Sequence, residues 1–131
     1  MTRNPHRFHD RIEDILEAIG NVRSDLGGMS QAEFLSDGKT QRAIIESLIV
    51  IGEAATKVMQ INPAIQQEIP ALWQQFRDAS DMRNILTHEY FRVDAAIVWT
   101  TVLIACRFLR HSCVNLGRTA IQAKKGSSSS C

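Results

Sequence analysis

An arginine, a histidine and a tyrosine stand close together at Arg83, His88 and Tyr90, in the pattern R-x-x-x-x-H-x-Y of "DMRNILTHEY". Cutting RNA without a metal sets three tasks: deprotonating a ribose 2'-hydroxyl, stabilising extra negative charge on phosphorus, and protonating the departing 5'-oxygen. Histidine exchanges protons near neutral pH. Arginine stays charged, and its planar fork fits two phosphate oxygens. Tyrosine can donate to a phosphate or stack on a base, as single-stranded RNA sites commonly require. Taken alone, the trio is better explained by a surface Arg83 paired with Asp78 or Glu89, an exposed histidine at a helix end and a half-buried phenol.

The elements that must position these residues are helical. Phe8, Ile12, Ile15, Leu16, Ile19, Val22 and Leu26 recur at three- and four-residue steps, which predicts a first helix from His6 to about Leu26, stopped by Gly27 and Gly28. Ser30 and Glu33 have the spacing of a capping box for a short helix through Phe34 and Leu35. Asp37 can cap a second long helix, about Gly38 to Gln60, whose seam of Ile44, Leu48, Ile51, Ala55 and Val58 is widened by Ile45, Ile49, Ala54 and Met59. So broad an apolar surface needs more than one neighbour. Pro70 suits the first turn of a helix running through Leu72, Trp73, Phe76 and Met82 toward His88, and Asp94 caps a last helix to about Val114. No stretch alternates between hairpin turns, so the fold class is all-α: a compact up-and-down bundle of four to five main helices, dimerising through its long helices. One domain is expected over 1–123, followed by a flexible Gly/Ser-rich tail at 124–131.

Helical geometry poses a problem for the trio. At about 100° per residue Arg83 and Tyr90 nearly eclipse, whereas His88 points roughly 140° away from Arg83. Two arrangements reconcile them: the helix ends near Thr87 so that residues 88–90 wrap its terminus, or two protomers assemble the site. "EYFRVD" ahead of a fresh cap favours a helix break near Glu89 to Arg92. Glu53, among small and apolar neighbours, could orient His88, pair with Arg83, or simply pair with Lys57 one turn on.

Composition bounds the rest. The chain has 131 residues, 44% hydrophobic and 22% charged, an ordinary globular mixture. Fifteen Lys and Arg against fourteen Asp and Glu leave a formal charge of +1, so no global field draws the protein to a polyanion and any nucleic-acid contact is local. The basic groups at Arg3, Arg7 and Arg11 and at Arg107, Arg110, Arg118, Lys124 and Lys125 read as solvated faces or tail. An odd count of three cysteines argues against a secreted disulfide framework; Cys106 and Cys113 read as buried small hydrophobes, and Cys131 as an exposed thiol in the tail. His6 with His9 and His111 with Cys113 are too sparse for zinc. No secretion signal follows Met1, and "AAIVWTTVLIACRFL" meets Arg107 before reaching bilayer length, so a cytoplasmic protein without a membrane span is expected.

Residues Leu48 to Trp99 carry a resemblance. The order I-G-E-A at Ile51 to Ala54, a Pro-Trp segment at Pro70 to Trp73, R-N-x-L-x-H-x-Y at Arg83 to Tyr90, V-D at Val93 and Asp94, then Trp99 is similar to the HepT-like family of the HEPN superfamily. The stretch "WQQFRDASDM" between the tryptophan and the motif is longer here than is usual. The resemblance implies a dimeric helical toxin of a toxin–antitoxin pair that cuts RNA with no metal and no cofactor. It implies catalytic roles for Arg83 and His88, with Asn84 orienting the loop or binding phosphate. It also implies a minimal nucleotidyltransferase antitoxin that attaches AMP to Tyr90. Outside this reading stand a catalytically silent helical adaptor that binds the nucleotidyltransferase, and a nucleotide-sensing module in which Arg83 and Tyr90 grip a mononucleotide.

Overall fold

The computed structural model describes residues 5–116. The tail at 124–131, the late basic group from Arg118 on and Cys131 lie outside the described residues. These are helical almost throughout, with no strand among them. Four long helices and two short ones follow in order: α1 (Pro5–Leu26), α2 (Gln31–Leu35), α3 (Gly38–Ile61), α4 (Ile65–Glu68), α5 (Pro70–His88) and α6 (Ala95–Leu116).

Several boundaries have a local cause. Gly27 takes φ 55°, the left-handed conformation that ends α1 at little steric cost. Ser30 and Glu33 close a reciprocal capping box on α2, Asp37 caps α3 through the Thr40 amide, and Asp94 caps α6 through the Ala96 amide. The caps of α2 and α3 hold the carboxyls of Glu33 and Asp37 below their ordinary values, in each case chiefly through backbone N–H donation to the carboxylate. Pro70 opens α5, where its missing N–H costs nothing.

α3 is the centre of the bundle. It packs against both α1 and α5, which accounts for the breadth of its apolar surface. Its predicted seam of Ile44, Leu48, Ile51, Ala55 and Val58 is buried, facing Ile12, Ile15, Ile19 and Val22 of α1 and Leu72, Phe76 and Leu86 of α5. Burying each of the larger of these side chains stabilises the fold by roughly 1.5–3 kcal/mol relative to exposure. Phe34 of α2 sits against Trp99 of α6 with ring centroids 5.4 Å apart, tying the short helix to the last one.

α6 is regular over Ala95–Ile104, widens into a π-helical turn over Ala105–Leu109, and continues helically to 116. Its buried positions are Val98, Val102, Ala105, Leu109 and Cys113, and the last three follow one another at four-residue steps. On a regular helix each such step drifts about 40° off the core-facing line. A wider turn takes up that drift, so Leu109 and Cys113 still point inward. The helix is long and apolar enough to cross a membrane by length and composition alone, because it runs on past Arg107, where the sequence suggested the apolar stretch would stop.

Candidate active site

The site begins at a glycine. Gly52 lies at a close approach of α3 and α5: a Cβ built there would sit 2.6 Å from the Ala79 carbonyl oxygen and would overlap the Cβ of Arg83. Only a residue without a side chain permits this contact. Below it, the hydroxyls of Thr56 and Ser80 share a hydrogen bond at 2.8 Å across the two helices, and Thr56 also donates to the Gly52 carbonyl at 2.9 Å. The seam therefore fixes the root of Arg83 against α3.

From that root the guanidinium reaches outward between two partners. Nη2 forms an ion pair with Glu53 Oε1, and Nη1 donates to Asn84 Oδ1 at 3.0 Å. Nε is buried without a hydrogen-bond partner. Of the three roles open to Glu53, the structure shows the pairing with Arg83; there is no ion pair to Lys57 and none to His88. Arg83 likewise takes neither Asp78 nor Glu89; Asp78 instead accepts from Gln74 at 2.8 Å. The pair is half exposed, so its contribution to stability is small, and its effect is on where the guanidinium points.

His88 is the last residue of α5, and Glu89, at φ −128°, is its cap. A short 3-10 turn, Tyr90–Arg92, follows and leads to Asp94. The expected break near 89–92 is thus present, but His88 stays on the helical side of it. Arg83 and His88 consequently diverge by roughly 140° around α5. Asn84, one turn before His88, shares its side of the helix, so the Nη1–Asn84 bond draws the guanidinium part of the way toward the histidine. His88 is exposed, and its ring has no hydrogen-bond or ion-pair partner among the described residues. Tyr90, 44% exposed, has left the helix and does not eclipse Arg83.

Two features escaped the sequence. The tight approach at Gly52 had one signal, a glycine inside an otherwise strong helix, where it costs stability unless something needs the space. A groove between α3 and α5, lined by Thr56, Trp73, Arg77 and Asp81, had none. Phe76 is fully buried in the core, and Trp73 is half buried at that groove. Among the described residues no group of three or more His, Cys, Asp or Glu could hold a metal ion. Cys106 and Cys113 are free thiols.

The family model described as "Ribonuclease HepT-like" matches residues 15–111, from within α1 to beyond the π turn of α6. A "Probable ribonuclease HepT" of Thermococcus cleftensis is 38% identical over 93 residues, covering 71% of this chain and 80% of that protein. "Putative RNase MJ0127" of Methanocaldococcus jannaschii is 33% identical over 92 residues, covering 70% of this chain and 72% of its own length. No solved structure matches the chain. A family match over most of the sequence, spanning the α3–α5 seam and the whole R-x-x-x-x-H-x-Y segment, means that the chain belongs to the HepT-like ribonuclease family.

Proposed function

We propose that the protein is the toxin component of a cytoplasmic toxin–antitoxin pair, a metal-independent endoribonuclease that works as a homodimer. The observation that carries this reading is the continuity of α5 through His88. Within one chain the imidazole and the guanidinium leave the helix on different sides. A second copy is what brings them to one scissile linkage, and it also supplies the second histidine the reaction needs. One His88 takes the proton of the 2'-hydroxyl as that oxygen attacks phosphorus. The His88 of the other copy gives a proton to the 5'-oxygen as the phosphorus–oxygen bond breaks, leaving a 2',3'-cyclic phosphate and a 5'-hydroxyl. Arg83, steered by Glu53 and Asn84, neutralises the added charge on the pentacoordinate phosphorus.

The surface supports pairing of two copies. Ile97, Ile104 and Phe108 are 56%, 51% and 58% exposed and form one stripe on α6. Beside it an apolar cleft of about 160 Å³, lined by Leu48, Ile51, Met82 and Leu109, opens between α3, α5 and α6.

Tyr90 is the acceptor for regulation. Its phenol oxygen attacks the α-phosphorus of ATP on a nucleotidyltransferase antitoxin, the bond to pyrophosphate breaks, and the phenol proton passes to the partner enzyme. The added AMP puts bulk and negative charge beside the motif and excludes RNA.

Labelled RNA incubated with purified protein in excess chelator tests the activity. Cleavage to cyclic-phosphate ends, lost in His88→Ala and in Arg83→Ala, supports it; unchanged cleavage by His88→Ala removes the histidine from the mechanism, and mononucleotide binding without cleavage supports a sensing module instead. Intact mass after incubation with the antitoxin and ATP tests the modification: one AMP should appear and be absent from Tyr90→Phe.

A further inference from the structure

The groove between α3 and α5 has a volume of about 370 Å³ and is lined by Thr56, Met59, Trp73, Arg77, Ser80 and Asp81. It lies on the same helix as the motif, and the register matters. At about 100° per residue, Trp73, Arg77, Asn84 and His88 all fall within an arc of roughly 60° on α5. At a rise of about 1.5 Å per residue, Arg77 stands about 16 Å along the axis from His88, too far to touch the phosphate that His88 acts on. Arg77 is exposed and forms no ion pair among the described residues, although Asp78 and Asp81 lie close in sequence; Asp78 is engaged by Gln74. A cation that forms no ion pair, an aromatic edge and an open groove are the parts of a nucleotide subsite.

We propose that this face of α5 is the track of a single-stranded RNA substrate, and that the groove at Trp73 and Arg77 holds a nucleotide removed from the scissile linkage. The Arg77 guanidinium binds its phosphate, and the indole edge of Trp73 packs under its base. This rests on the ribonuclease reading above and adds to it a path for the strand and a minimum length for a good substrate. The formal charge of +1 makes the contact count: with no global field, each local cation supplies a large share of the attraction. Asp81, at the groove, opposes it.

The test measures binding by fluorescence anisotropy with full-length His88→Ala protein, which holds RNA without cutting it, using a labelled octanucleotide and a labelled dinucleotide. Adding Arg77→Ala should weaken octanucleotide binding by about tenfold and lower the slope of log affinity against log salt by about 0.7, while leaving the dinucleotide unchanged. Arg77→Lys should keep the slope, and Asp81→Asn should tighten binding. Octanucleotide affinity and slope unaltered by Arg77→Ala would overturn the proposal, and so would an equal loss for both lengths, which would place Arg77 at the scissile linkage. If the parent binds no RNA, the track and the nuclease reading fall together. If Arg77 behaves as expected but the wild-type protein cleaves nothing, the track stands and the nuclease reading falls.

Discussion

Arg83 is held from three sides: its root by Gly52, one nitrogen by Glu53 and another by Asn84. Because the ion pair is half exposed, Glu53→Gln should change stability by no more than about 1 kcal/mol in denaturant melts. Its effect should appear in catalysis instead. The uncharged amide competes less for the guanidinium, so RNA should bind more tightly while turnover falls from looser aim, a split seen as lower KM with lower kcat. Cys113 carries a second residue-scale consequence, since burial pushes its thiol from the ordinary 9.0 up to about 12. Above about pH 9 the unfolded chain releases this proton while the folded one keeps it, so stability should decline as pH rises from 9 toward 12. Denaturant midpoints on either side of pH 9 would show the decline, and Cys113→Ala should flatten it.

At the scale of elements, most of the architecture could be read in advance, because its determinants are local. Ser30 with Glu33, Asp37, Pro70 and Asp94 each announce a helix start within a few residues of where their own backbone partners lie. Asp94→Ala should cost about 1 kcal/mol through loss of its bond to the Ala96 amide. Glu33 and Asp37 titrate below their ordinary values when folded, so their caps stabilise the protein above the ordinary carboxylate range and are lost as pH falls through the folded values. Glu33→Gln and Asp37→Asn should blunt the acid limb of a stability profile. The site was less legible than the frame. That Glu53 meets Arg83 rather than Lys57 depends on how closely two helices distant in sequence approach, and no spacing rule encodes that distance. The π turn of α6 was likewise unmarked, because the four-residue steps of Ala105, Leu109 and Cys113 read as ordinary helix until the core they face is known.

For the whole molecule, the central question is what covers α6. Ile104→Glu places a charge in the middle of its exposed apolar stripe, so sedimentation should show a dimer becoming a monomer with unchanged helical circular dichroism, and RNA cleavage should disappear with the dimer. A dimer that survives this change would move the interface elsewhere. The α3–α5 seam has a different reach. Gly52→Ala must push α5 away at the Ala79 carbonyl, a backbone atom with no alternative position, and should destabilise the fold by about 1–3 kcal/mol. The same displacement would swing Arg83 off its bearing. Deuterium should therefore enter the amides around Gly52 and Ala79 only when the entire bundle opens, and as the protein is warmed, catalytic competence and resistance to proteases should vanish at one temperature, without a softened, inactive stage in between.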